Sequence, residues 1–98
     1  MSGDLILVSL KELTGRKVVT TDAFAIGEVD GVELDLEKGN ITHIRVDLSK
    51  EAANELRFKK PFMGNVVICV PMNLIQAFGH VINLNVPLTQ IKTLKECQ

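Results

Sequence analysis

His43 and His80 are the only histidines in the sequence, and Cys69 and Cys97 the only cysteines. A zinc site would gather such residues in closely spaced pairs, and none stands at that spacing here. A nucleophile would need a neighbouring base, and a phosphate cradle would need a glycine loop opening a helix; the sequence offers neither. Gly27 and Gly31 resemble part of such a loop only superficially. They fall inside a stretch that reads as a strand, so a bulge or close backbone packing is the better reading. These residues predict a protein that is not an enzyme and takes no metal, cofactor or small-molecule substrate.

Two cysteines are too few for a disulfide framework. Cys69 lies within Val66-Val67-Ile68-Cys69-Val70, where a free thiol behaves as a small hydrophobe, and Cys97 is expected to be mobile. The 98 residues carry 11 basic and 12 acidic side chains, so no basic excess invites a phosphate backbone. Tryptophan and tyrosine are absent, leaving Phe24, Phe58, Phe62 and Phe78 as the only rings for base stacking. Nucleic acid is therefore not the expected partner. No signal-peptide pattern opens the chain, and the longest purely apolar run, Val66–Val70, is far shorter than the roughly 20 residues a membrane helix needs. The expectation is a cytoplasmic, reduced, single-domain protein spanning residues 1–98, without membrane insertion.

The elements that must position any site are short. Asp4 to Val8 reads as an extended segment. Ser9-Leu10-Lys11-Glu12 is a capping-box pattern that predicts a helical turn over 10–14, ended by Gly15. Lys17–Thr20 is a β-branched run. A longer strand starts at Ile26; Val32, Leu34 and Leu36 share its inner face, and a bulge at Gly31 reconciles them with Val29. Ile41 to Leu48 returns with Ile44, Val46 and Leu48 inward.

Matching apolar with apolar across this hairpin pairs Leu34 with Ile44 and Val32 with Val46. That register leaves Lys38 to Asn40 as the loop, and puts Glu33 opposite Arg45 and Asp35 opposite His43. His43 is thus read as a solvated cross-strand partner of Asp35, and His80 as a turn residue. Ser49 caps a two-turn helix ending near Leu56. Val66–Val70 is a buried strand, Pro71–Ala77 a helical turn, Val81–Leu84 a strand, and 88–95 a short amphipathic helix. Five or six short antiparallel strands joined by tight turns and helical turns describe an all-β, small, partly open β-barrel.

Leu13-Thr14-Gly15-Arg16-Lys17-Val18-Val19 resembles the opening of PRC-barrel domains, where a leucine-glycine-basic pattern leads into the first strand. Ile26 through Asp35, the Gly39-Asn40-Ile41-Thr42 turn and its returning strand resemble the family's next hairpin. Val70-Pro71 through Ile75, Gly79 and Val81-Ile82-Asn83-Leu84 resemble the closing part of small stand-alone archaeal members. One departure is His80, where the family commonly has aspartate. The family includes the cytoplasmic domain of the photosynthetic reaction-centre H subunit, the C-terminal domain of a ribosome maturation factor, and small proteins associated with archaeal cell division. The resemblance implies a non-enzymatic adaptor for protein partners, with archaeal cell division as its setting. An RNA- or ribosome-associated assembly factor is the alternative it leaves open.

Candidate partner-binding residues fall in two segments. Leu5-Ile6-Leu7-Val8 lacks polar alternation, so both of its faces call for cover that one small barrel cannot supply. A homodimer burying Leu5, Ile6 and Leu7 is expected. Arg57-Phe58-Lys59-Lys60-Pro61-Phe62-Met63 mixes basic with apolar residues. Either Phe58 and Phe62 plug an end of the barrel while the lysines stay solvated, or Phe58, Lys59, Lys60, Phe62 and Met63 dock a partner protein, or the segment contacts RNA.

Overall fold

The structure, a computed structural model, describes residues 9–57 and 65–97. Its elements are helix α1 (Leu10–Leu13), strands β1 (Lys17–Val19), β2 (Ala25–Asp35) and β3 (Asn40–Leu48), and helix α2 (Lys50–Glu55). Strand β4 (Val67–Pro71), a 3₁₀ turn (Met72–Leu74), strands β5 (Ile75–Phe78) and β6 (Val81–Leu84), and helix α3 (Leu88–Ile91) follow. The proposed strand over 4–8 lies outside the described residues.

Both serine caps form as their local chemistry requires. Ser9 Oγ accepts from the Glu12 amide at 3.2 Å, and its hydroxyl donates to Glu12 Oε1 at 3.1 Å. Ser49 Oγ accepts from the Ala52 amide at 3.0 Å, satisfying one of the donors a helix start leaves free. Gly15, at φ +90°, lets the chain leave α1 and run into β1.

The six strands form one sheet in the order β4-β3-β2-β1-β6-β5, not closed into a barrel. All neighbours are antiparallel except β1 and β6, which run parallel, so the expectation of a purely antiparallel sheet is corrected. The parallel pair arises because the closing hairpin returns to the first strand after the chain has passed through the opposite edge. One buried cluster joins Ile68 and Val70 of β4 to Ile82 and Leu84 of β6, so the sheet curls around a shared core. Leu13, Ala52, Ala53 and Ile91 bring the three helices onto the same cluster.

The β2–β3 register differs from the expected one. Ile44 lies opposite Val32 rather than Leu34, Val46 opposite Val29, Arg45 opposite Gly31, His43 opposite Glu33, and Asp35 opposite Asn40. The turn occupies Leu36 to Gly39, closed by the Gly39 amide donating to the Asp35 carbonyl at 2.7 Å. Asp35 Oδ1 also accepts from the amides of Glu37 and Lys38, at 3.0 and 3.2 Å. Two unpaired residues then act in opposite senses: Thr42 adds a residue to β3, and Asp30 adds one to β2. The Asp30 bulge, next to the anticipated Gly31, lets Val29 and Val32 both face inward.

Leu34 and Leu36 are corrected as well: they are 51% and 85% exposed. The hairpin outruns its neighbours, because β4 ends opposite His43 and β1 ends opposite Glu28. Among the described residues, no third strand pairs with either leucine. Ile44, Val46 and Leu48, by contrast, are buried as expected. Over Pro71–Ala77 only Met72–Leu74 is helical; Ile75–Phe78 instead pairs with Val81–Leu84 across the Gly79-His80 turn. Ladder bonds with β6 outweigh the weak helical preference of so short a segment.

Cys69 and Cys97 are not free: they form a disulfide, with Cα atoms 5.2 Å apart. The expectations of a free thiol at Cys69 and a mobile Cys97 are therefore overturned. Cys69 points to the side of β4 opposite its buried neighbours Ile68 and Val70, where residue 97 can reach it.

Candidate interaction surface

Among the described residues, no group of three or more histidine, cysteine, aspartate or glutamate side chains is placed to hold a metal ion. His43 does not meet Asp35; its Nδ1 lies 2.8 Å from Thr42 Oγ1, a neighbour on its own strand. His80 is exposed in the β5–β6 turn.

Asp22 titrates below its ordinary value, and its role is structural. The Thr20 hydroxyl donates to Asp22 Oδ1, and the Leu88 amide donates to the same oxygen at 3.2 Å. The Thr20 bond first, and the amide bonds after it, hold this carboxyl below the ordinary aspartate range. Asp22 thereby caps α3 from the β1–β2 loop, at a helix start where Pro87 supplies no side-chain acceptor.

A shallow groove of about 370 Å³ lies over Gly27, lined among others by Lys17, Glu28, Asp47, Glu51 and Asn65. Asp47 Oδ2 accepts from Asn65 Nδ2 at 2.9 Å; its Oδ1 is shielded from solvent and has no hydrogen-bond partner among the described residues. Glu28 and Asp47 stand directly opposite each other, with Lys17 on the far side of Glu28. The groove is of mixed charge and holds no nucleophile–base pair.

The distinctive surface is the projecting end of the β2–β3 hairpin. Leu34 and Leu36 lie open there, and Arg45 pins its acidic side. Arg45 Nη1 is 3.7 Å from Glu33 Oε2, and its Nε is 3.9 Å from Asp30 Oδ2. Glu33 is therefore a diagonal partner of Arg45 rather than the directly opposed one. Such half-exposed ion pairs add little stability, but they keep the guanidinium on one face of the ribbon. Among the described residues, Leu10 and Phe78 are the other large exposed apolar side chains, at 52% and 47%.

None of the sequence-derived partner-binding residues can be placed on this surface. Leu5, Ile6, Leu7, Phe58, Lys59, Lys60, Phe62 and Met63 all lie outside the described residues. Leu34 and Leu36 were missed because parity assigned them to the core. The signal that could have found them is strand length: β2 spans 11 residues and β1 only 3, so β1 cannot flank the far end of β2.

The PRC-barrel domain model matches residues 6–91. The chain belongs to the PRC-barrel family. PRC-barrel domains are generally non-enzymatic modules, consistent with the open curled sheet and its short helices. No curated protein matches the chain. Among the described residues, no helix is long and apolar enough to cross a membrane.

Proposed function

We propose that this PRC-barrel is a protein-binding adaptor that works as a two-fold homodimer, with archaeal cell division as its setting. The observation that carries the adaptor reading is the uncovered hairpin end. A two-stranded ribbon with leucines half or more exposed is only marginally stable in water, and a protein surface laid against it would supply the missing cover. The absence of basic excess weighs against the RNA- or ribosome-associated alternative. The dimer reading rests on Leu5, Ile6 and Leu7, whose unbroken apolar run calls for cover on both faces. The archaeal setting rests on the family resemblance of the closing half, Val70 to Leu84.

Light scattering at micromolar concentration is expected to give twice the 10.8 kDa chain mass, and deletion of residues 1–8 to return the monomer. A monomeric mass for the full chain, or a dimer indifferent to the deletion, refutes the dimer. Tight RNA retention that weakens steeply with salt would replace the adaptor reading by the RNA-associated one.

A further inference from the structure

Strand β4 ends the sheet order, so among the described residues one of its edges has no named strand beside it. Residues 95–97 cover that edge. The Cys69 amide donates to the Lys95 carbonyl at 3.2 Å, and the Cys97 amide donates to the Val67 carbonyl at 2.8 Å. Between these bonds, Ile68 and Glu96 form an antiparallel bridge. Residues 95–97 therefore act as a short seventh strand, with the Cys69–Cys97 disulfide as its covalent tie.

The non-covalent hold is slight. Lys95 and Glu96 are exposed, and the nearest apolar anchor, Leu94, is only partly buried against the core. Two backbone hydrogen bonds, worth little net of water, do not offset the entropy of ordering three residues. Ile91, wholly buried in α3, anchors the preceding turn independently of the tie. The chain can thus let go of β4 after Leu94 without disturbing the core.

We propose that the Cys69–Cys97 bond is a redox clasp on the β4 edge. Oxidised, it holds residues 95–97 as the covering strand. A cellular dithiol reduces it: the Sγ–Sγ bond gains two electrons and two protons to give two thiols, and the dithiol becomes its own disulfide. With the tie gone, residues 95–97 leave, and the Cys69 N–H and Val67 C=O face solvent as an open sheet edge. Reduction thus opens the stretch of β4 edge that oxidation closes.

Amide exchange followed by NMR on the full chain tests this, comparing protein oxidised with glutathione disulfide and protein reduced with dithiothreitol. Reduction is expected to speed exchange at the Cys69 and Cys97 amides at least tenfold while leaving the Val29 amide, which donates to Arg16 O in the interior of the sheet, unchanged. Cys97→Ser is expected to show the reduced pattern in both buffers, and Cys69→Ser serves if that variant folds poorly. Unchanged exchange at Cys69 overturns the clasp, because the hydrogen bonds alone would then hold the strand. Equal acceleration at Val29 overturns it too, since the bond would then support the whole domain. Alkylation of Cys69 and Cys97 in the oxidised protein removes the clasp altogether, since both sulfurs would then be free thiols.

Discussion

Replacing Gly27 by alanine tests how closely β2 and β3 approach. Gly27 has a strand on either side, opposite Val18 of β1 and Leu48 of β3. A Cβ there would run into the Asp47 carbonyl oxygen, with the Asp47 carbonyl carbon at 2.9 Å and Leu48 Cα at 3.0 Å. All three are backbone atoms, so no side-chain rotation relieves the clash. Overpacking of this kind costs about 1–3 kcal/mol. Parting the strands to make room weakens one or two ladder bonds, at about 1 kcal/mol each. The loss expected for Gly27→Ala is about 3–4 kcal/mol, a large share of the roughly 5–15 kcal/mol typical of a domain. Gly31→Ala is the internal control. Its Cβ would meet only the flexible Arg45 Cδ at 3.5 Å, and removing a strand glycine favours folding by about 0.5 kcal/mol. With no tryptophan or tyrosine in the chain, urea unfolding is best followed by far-ultraviolet circular dichroism. At a slope of about 1–2 kcal/mol/M, Gly27→Ala should lower the midpoint by about 2 M, and Gly31→Ala should barely move it. Equal midpoints for the two variants would refute the close-approach argument.

Ser49→Ala removes the hydroxyl that accepts from the Ala52 amide and should cost about 1 kcal/mol in the same urea assay, whereas Ser49→Asp should restore most of it. Asp22 confers an acid dependence whose sign follows from its lowered folded-state pKa. Its contribution is complete well above the ordinary value of 3.8, and is lost as pH falls through that value towards the lowered one. Thermal unfolding between pH 6 and about pH 3 should therefore show a steeper acid loss for the natural protein than for Asp22→Asn; parallel curves would show that Thr20 and Leu88 do not favour the charged form.

Short-range features of this domain were legible in the sequence. The caps at Ser9 and Ser49, the left-handed turn at Gly15, the strand Val81–Leu84 and the inward set Ile44, Val46 and Leu48 depend on a side chain meeting its own backbone, or on parity along one strand. The family pattern then placed these pieces in an open PRC-barrel. Register was not legible, because Asp30 and Thr42 bulge on opposite strands and compensate each other, so apolar still meets apolar under a wrong alignment. Parity likewise made Leu34 and Leu36 look internal. Whether an inward-facing leucine is buried depends on how far the neighbouring strands extend, and those strands lie elsewhere in the chain.

The parallel β1–β6 pairing and the strand identity of Ile75–Phe78 were set by the returning hairpin, since a segment of 4 residues has too little local preference to choose its own conformation. The cysteines show the same division. Composition alone read them as free thiols, separated by 28 residues; the fold carries residue 97 back along the uncovered edge of β4, where two backbone hydrogen bonds hold it beside Cys69. Residue types and local spacing thus determined which turns, caps and strand faces this chain would use. Which strands meet, where they end and which sulfurs touch depended on distances between remote segments, and only the folded chain sets those.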